Sequence, residues 1–274
     1  APFTSMERLA STIYRTKHLA LGKTRDKMRE HTIIYRMYSG EKEAEPARVT
    51  PSVFLERASP NGYSKLHFAI LFNDIDLFNE EFAKEGVEVN QVNAHGHSLL
   101  HDAIVFGREE MVDKLMNHPD IKADYSMLNL AIRYRHENIA KILIDYGVEV
   151  MGSAFYEAFE TNQREAVKAI IARNVNPRVI NYASLPRFER PLHLAIYRRD
   201  KEMITLLLQN GADLKAKGWK KVGSILACIA DIRDAEFLKF MVGSLSNLNE
   251  ADEDGLTLKQ HAEQKGNSAL VALL

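Results

Sequence analysis

The chain has 274 residues, of which 46% are hydrophobic and 27% are charged, so it contains enough apolar material to form a folded core. Its 36 lysines and arginines nearly balance 37 aspartates and glutamates, which argues against binding driven by general attraction to nucleic acid or to an anionic membrane. The one cysteine, Cys228, excludes an intramolecular disulfide and favours a reducing compartment, which we take to be the cytoplasm.

Residues 1–58 predict three short helices and are basic, with 11 lysines and arginines against 7 aspartates and glutamates. Apolar residues recur at helical spacing from Met6 to Tyr14, while Thr24 and Thr50 are placed to cap a second and a third helix. Neither this segment nor the rest of the chain has the run of about 20 apolar residues that a membrane-spanning helix needs.

One short pattern recurs along the rest of the chain. Residues 62–69, GYSKLHFA, return 34 residues later as 96–103, GHSLLHDA, and again as 190–195, RPLHLA. Weaker copies lie at 126–131, 154–158, 224–228 and 255–262. A second apolar helix and a turn follow each copy, as in 205–213, TLLLQNGAD. Such a recurring unit predicts stacked helix pairs, because one pair cannot bury its own apolar face.

The pattern resembles the ankyrin repeat, whose units read Gly-x-Thr-Pro-Leu-His-x-Ala, then a second helix ending in Leu-Leu, then Gly-Ala-Asp. The resemblance covers 59–274 and implies an all-α ankyrin-repeat solenoid of about seven repeats, with short β-hairpin fingers between helix pairs. Copies three and four follow their predecessors by only 28 and 27 residues, so we expect both to lack a full finger. The last copy stops within its second helix, which predicts that the parent protein continues past Leu274.

The resemblance gives 1–58 the role of an N-terminal helical cap that covers the apolar flank of the first repeat. The alternative is a separate helical element that binds a partner or an anion, through the arginines Arg8, Arg15, Arg25 and Arg29. Both interpretations stay open at this point.

In ankyrin proteins, partners meet the finger tips and the exposed face of the first helix, and the resemblance implies such a concave groove here. We expect the second and third residues after the motif alanine to face it. These residues include Phe72, Phe106 and Tyr134, which predict an aromatic strip for a partner; the alternative is that the cap folds back over the strip or that the register is off by one residue. The residues expected to contact a partner are Tyr63, Leu71, Phe72, His97, Val105, Phe106, Arg133, Tyr134, Tyr197, Arg198 and Trp219.

The later part of the predicted groove is basic and aromatic. Arg133 and Arg198 each adjoin a tyrosine, and Trp219 falls at the predicted finger tip of the sixth copy. Guanidinium groups beside aromatic rings suit an acidic peptide or a phosphate, and a solvated charged face is the alternative. Stacking on single-stranded nucleic acid is a further possibility, against which the near-neutral charge argues.

Three histidines, His95, His97 and His101, have a spacing that metal ligands can have. The repeat offers a simpler interpretation, because two of them fall at a finger tip and His101 is the structural histidine of the motif. We therefore predict no metal and no cofactor. We place Cys228 at the small buried position that alanine holds in other copies, and no phosphate-binding, serine-hydrolase or zinc-protease motif predicts catalytic residues.

The sequence therefore predicts a monomeric, non-catalytic interaction module that binds a partner protein or peptide in its concave groove. The divergent repeats and the unfamiliar N-terminal segment suit a host-targeting effector that acts in the host cytosol, an interpretation by analogy alone. The alternative function is the substrate-recruiting region of a larger enzyme whose catalytic part lies outside this chain. A domain with catalytic motifs beyond Leu274 would favour that alternative.

Overall fold

The computed structural model is described for residues 64–93, 95–173, 176–183, 189–217 and 223–274, so the predicted cap at 1–58 lies outside the described residues. The described chain divides into unit 1, residues 64–146, and unit 2, residues 147–274. No helix within these ranges is both long enough and apolar enough to cross a membrane. Fifteen helices lie in the described ranges: α1 (Lys65–Phe72), α2 (Ile75–Phe82), α3 (Leu99–Val105), α4 (Glu109–Met116), α5 (Tyr125–Arg133), α6 (Glu137–Asp145), α7 (Gly152–Glu160), α8 (Arg164–Ala172), α9 (Pro177–Ile180), α10 (Pro191–Tyr197), α11 (Lys201–Gln209), α12 (Ile225–Ala230), α13 (Ala235–Ser244), α14 (Leu258–Gln264) and α15 (Ser268–Val271).

Within each unit the helices form consecutive antiparallel pairs that stack in chain order. Unit 1 contains the pairs α1–α2, α3–α4 and α5–α6, and the first helices α1, α3 and α5 pack in a row. Unit 2 contains the packed pairs α7–α8, α10–α11 and α14–α15, with the short α9 packed on α7, and α12 is followed in the chain by α13. Its first helices α7, α10, α12 and α14 again form a row, beside the second helices α11, α13 and α15. The predicted all-α ankyrin-repeat solenoid is confirmed.

Small residues mark the places where neighbouring first helices touch. The motif alanines have no exposed surface: Ala69, Ala103, Ala131, Ala158 and Ala195. A larger side chain there would push the row of helices apart, because protein interiors are close-packed and tolerate little added volume. The small size of alanine at this position therefore allows neighbouring first helices to pack closely.

Hydroxyl side chains fix the start of most first helices. The Oγ atom of Ser98 accepts a hydrogen bond from the backbone N–H of His101 at 3.1 Å, and Ser224 caps α12 in the same way at 3.1 Å. These caps satisfy one of the backbone donors that the first turn of a helix leaves without an intrahelical partner.

The fingers between helix pairs are short and uneven. Single antiparallel bridges join Val92 to Ser98 and Lys217 to Ser224 in two of them. The connections that lead into α5 and α7, residues 117–124 and 146–151, are much shorter and contain no bridge. These two connections belong to the third and fourth copies, whose close spacing predicts the missing fingers.

Side chains that follow one first helix donate hydrogen bonds to the last carbonyls of the first helix before it. Arg108 donates to the carbonyls of Ile70 and Leu71, both at 2.9 Å, and Arg198 donates to the last two carbonyls of α7 at 2.9 and 2.8 Å. His136 reaches the last carbonyl of α3 at 3.3 Å, and Asn267 reaches that of α12 at 3.0 Å. We call these bonds the carbonyl clamps. They add side-chain donors to carbonyls in the last turn of the preceding helix, and they tie neighbouring repeats together.

The substitution Gly107→Ala should destabilise unit 1 by more than the usual cost of placing alanine in a left-handed backbone conformation. Gly107 has a φ of 66°, and a Cβ atom there would lie 2.7 Å from Cε1 of His136, whose ring forms a carbonyl clamp. We expect a loss of about 2–3 kcal/mol in the free energy of unfolding, measured with urea. The control Gly86→Ala has a similar φ of 73° with no atom within 4 Å, and should cost only about 1 kcal/mol. Equal losses in the two variants would contradict a steric role for His136.

Unit 2 should lose stability as the pH falls below neutrality because His193 is buried. Burial lowers the pKa of His193 from 6.5 to about 4; the backbone of Gly223 opposes this shift and the charge of Arg190 adds to it. Between pH 6.5 and 4 the unfolded chain therefore binds a proton that the folded chain does not, so stability decreases as pH falls through this window.

The variant His193→Gln should remove this part of the pH dependence. Urea unfolding at pH 7.5 and 4.5 should show a difference in stability about 2–3 kcal/mol smaller in the variant than in the wild type. The same difference in both proteins would show that His193 is not the group responsible.

Candidate functional site

An open groove with a volume of about 790 Å³ lies in unit 2, where α10 and α12 pack side by side. Its walls come from the end of α10, the end of α12 and the loop that follows it, with Phe237 from the start of α13. The volume is within the range of roughly 300–1,000 Å³ that ligand sites occupy. The groove is therefore large enough to hold a side chain or two of a partner.

Tyr197 stands at the edge of this groove as the last residue of α10. Its side chain is 88% exposed, more than any other large hydrophobic side chain in the described ranges. Tyrosine is enriched at interface hot spots because a stiff ring buries a large area at little entropic cost. The sequence analysis predicts that Tyr197 contacts a partner, and in the structure Tyr197 lines the groove in unit 2.

Most charged groups of the groove are engaged within the chain. Arg199 forms an ion pair with Asp234 at 2.8 Å and lies over the ring of Phe237. Arg233 donates to the carbonyl of Lys265 at 2.9 Å, and Asp231 pairs with the amino group of the same lysine. Glu189, in contrast, forms no ion pair with any residue in the described part of the chain.

Arg198, which the sequence assigns to an anionic partner, has another role here, and its neighbour Arg199 is also engaged. The guanidinium of Arg198 forms the carbonyl clamp on α7, and Arg199 is paired with Asp234. The pattern misleads because arginine after a first helix is equally suited to binding the carbonyls of the preceding helix. The groove thus contains a carboxylate, Glu189, that forms no ion pair within the described ranges, where the sequence predicts guanidinium groups.

The sixth copy is shifted by one residue from its predicted register. In regular copies the motif alanine lies five residues after the N-cap serine, as Ala69 does after Ser64. The N-cap of α12 is Ser224, so Ile229 holds the alanine position in the sixth copy. Ile229 is fully buried, whereas Cys228 is half-buried and lines the groove, so the prediction that Cys228 holds the buried alanine position is wrong. The corrected count replaces the expected pair Ala230 and Asp231 with Asp231 and Ile232, so the sequence analysis missed only Ile232 among these groove residues.

Cys228 has the properties of a packing residue in this groove. Burial raises the pKa of its thiol to about 11. The positive charge of Lys265 opposes this shift, and the negative charges of Asp231 and Glu189 add to it. The thiol is therefore protonated at neutral pH, and the thiolate needed for nucleophilic attack is absent.

The proposed aromatic strip in unit 1 is only partly available. Phe106 is 8% exposed, while Phe72 and Tyr134 are half-buried. The expectation that Leu71, Val105 and Phe106 face a partner is wrong, because all three are buried within the folded chain. The guanidinium of Arg108 lies 5.9 Å from the centre of the Phe106 ring. The equivalent positions of some later copies are exposed instead, as at Arg133, Glu160 and Tyr197.

The remaining predicted contact residues occupy different surroundings. Arg133 is exposed at the end of α5, and the ring of Tyr134 stacks on that of His136 at 6.3 Å. His97 is half-buried and its ring stacks on that of His101 at 4.0 Å. Tyr63 and Trp219 lie outside the described residues.

A buried serine, aspartate and histidine meet in unit 2 without forming a catalytic triad. Oδ2 of Asp252 accepts hydrogen bonds from both Ser224 Oγ and His261 Nε2, the latter at 2.7 Å. Burial alone would raise the pKa of Asp252, but these two bonds and backbone N–H donors hold it at about 2. A nucleophilic serine needs the imidazole beside it, whereas here the carboxylate separates the two. The cluster links the cap of α12 to the following finger.

The variants Phe106→Ala and Tyr197→Ala should differ greatly in their effect on stability. Truncating the buried Phe106 should cost about 3 kcal/mol, because it leaves a cavity. Truncating the exposed Tyr197 should change the free energy of unfolding by less than about 0.5 kcal/mol. Chemical denaturation of the two variants measures both values, and a stable Phe106→Ala protein would restore this ring to the list of candidate contacts.

Comparison with known proteins agrees with this architecture. The family described as "Ankyrin repeats (3 copies)" matches residues 66–154 and 128–218. The crystal structure of the ankyrin repeat domain of Bcl-3, a member of the IkappaB protein family, is 19% identical, with 78% of this chain and 99% of that chain covered and a TM-score of 0.55. The human ASB11 ankyrin repeat domain is 22% identical, with coverage of 77% and 97% and a TM-score of 0.48. Because the family match spans more than half of the 274 residues and the described helices form the expected pairs, this chain belongs to the ankyrin-repeat family.

Proposed function

We propose that this protein is an interaction module whose groove in unit 2 binds a peptide segment of a partner protein. Ankyrin repeats generally mediate protein–protein interactions. The observation that carries the proposal is the position of Tyr197, an 88% exposed ring at the edge of an open groove. An aromatic side chain so exposed gains most by being covered in a complex.

The first helices that line the groove are each bonded to a neighbouring first helix, which favours binding. Arg198 ties α10 to α7, and Asn267 ties α14 to two carbonyls around the end of α12 at 3.0 and 2.7 Å. The first helices that form the groove are therefore held in place by bonds that do not involve a ligand. Binding to a preorganised surface costs little entropy of ordering in the protein, so more of the contact energy appears as affinity.

The lining of the groove defines the chemistry of the segment that fits. Tyr197, Ile232 and Phe237 provide apolar surface for an aliphatic or aromatic side chain. Glu189 provides a carboxylate that suits a lysine or an arginine of the partner. We therefore infer a partner segment that combines one large apolar residue with a neighbouring basic residue.

We further propose that a single chain suffices for binding and that the complex forms in the cytoplasm, where one unpaired cysteine is stable.

Selection of binding peptides tests the proposal directly. A displayed random peptide library should yield sequences with an apolar residue next to a lysine or arginine when it is selected against the purified chain. Isothermal titration calorimetry should show that Tyr197→Ala weakens such a peptide by about 30-fold, the equivalent of a hot spot of about 2 kcal/mol. Glu189→Gln should weaken it by a few-fold and raise its tolerance of salt.

The matched control is Tyr125→Ala, which removes an exposed tyrosine, 45% accessible, from unit 1. This variant should bind the selected peptide with unchanged affinity. Peptides that bind Tyr197→Ala as tightly as the wild type, or that lose affinity for Tyr125→Ala instead, would contradict the assignment of the groove.

A further inference from the structure

Three side chains with metal-binding atoms converge where α3 begins in unit 1. Nδ1 of His101 lies 3.3 Å from Oδ1 of Asp102, and Nδ1 of His97 lies 3.7 Å from the same oxygen. The candidate ligand atoms all lie within 4.8 Å of one another, and the two imidazole rings stack at 4.0 Å. Two imidazoles and a carboxylate are thus already gathered around one point.

The carboxylate of this cluster is buried, which calls for compensation of its charge. Asp102 has no exposed surface and forms no ion pair with a lysine or arginine among the described residues. One amide hydrogen bond reaches it, from Asn93 Nδ2 to Oδ2 at 3.3 Å. A buried carboxylate is costly unless positive charge and hydrogen bonds offset its lost hydration, and a bound cation would supply the charge.

The missing finger of the third copy explains why the cluster forms in this repeat. In the first copy, Nε2 of His67 contacts the carbonyl of His97 in the next finger at 3.4 Å. His101 holds the equivalent position in the second copy, but the following connection, 117–124, contains no bridge. Its ring lies beside Asp102 instead and is 24% exposed. Loss of a finger has therefore placed a structural histidine in reach of both a carboxylate and an incoming ion.

We propose that His97, His101 and Asp102 form a zinc-binding site. Zinc binds imidazole nitrogen at about 2.0–2.1 Å and carboxylate oxygen at about 2.0–2.2 Å, so tetrahedral ligands stand about 3.4 Å apart. The separations of 3.3 and 3.7 Å from Asp102 are close to this value, and the two stacked imidazoles would turn toward each other to share one ion. Magnesium and calcium prefer oxygen ligands alone, which disfavours them here. Water completes the fourth position, and Asn93 orients the carboxylate from outside the ligand set.

The proposal revises the sequence-based prediction of no metal. That prediction weighed His95, His97 and His101, whereas the structure replaces His95 with Asp102. His95 is exposed, and the centre of its ring lies 6.1 Å from that of His97. A zinc ion held by the other three residues would tie the finger at His97 to the start of α3, and so stabilise unit 1.

Titration of the untagged chain with zinc chloride tests this site. Calorimetry should show one zinc ion per chain, and the melting temperature should rise with zinc and return after addition of a chelator. The cobalt-substituted chain should show the visible absorption of tetrahedral Co²⁺. His101→Gln should weaken zinc binding by more than about 100-fold, beyond the 10–100-fold typical of losing an outer-shell partner.

His95→Gln is the matched control, because it removes a neighbouring histidine outside the cluster and should leave zinc affinity unchanged. Circular dichroism establishes that each variant is folded, and His97→Gln replaces His101→Gln if the latter fails to fold. The proposal is overturned if the wild type binds no zinc, if the folded His101→Gln or His97→Gln variant binds it as tightly as the wild type, or if His95→Gln abolishes binding.

Discussion

The carbonyl clamps are the interaction on which the rest of the structure depends. A first helix ends with carbonyls that have no intrahelical partner, and a single helix pair is too small to bury its own apolar face. Arg108 and Arg198 resolve both problems by donating to the preceding first helix while their own helices pack against it. The clamps thus fix the relative position of neighbouring repeats within each unit, and with it the shape of the surface between them.

The sequence predicts the stack well because its signals are local. The motif alanine, the N-cap hydroxyl and the close spacing of copies three and four each depend on a few adjacent residues, and the structure places them as expected. Surface assignment is harder, because it depends on what packs over a position. Leu71 and Val105 look like exposed apolar residues in the sequence but are buried. Cys228 was assigned to the alanine position, which Ile229 holds when the copy is counted from its N-cap, Ser224.

The candidate sites lie where a repeat departs from the regular pattern. In other copies the histidine contacts the next finger, as His67 does, or the arginine after the first helix forms a clamp, as Arg198 does. Where the finger is missing, His101 joins Asp102, and where α10 ends, Tyr197 remains uncovered beside the groove. Asp102 was missed in the sequence because it occupies the variable position of the motif, where a charged residue normally indicates a solvated surface. Only its burial reveals a different role.

Amide hydrogen exchange of the chain with and without a selected peptide tests the central claim most directly, because it maps the binding surface without any substitution. The account predicts that peptide binding slows exchange in residues 189–199 and 225–237 and leaves the amides of unit 1 unchanged. Slower exchange confined to unit 1, with no change around Tyr197, would show that the groove in unit 2 is not the binding surface.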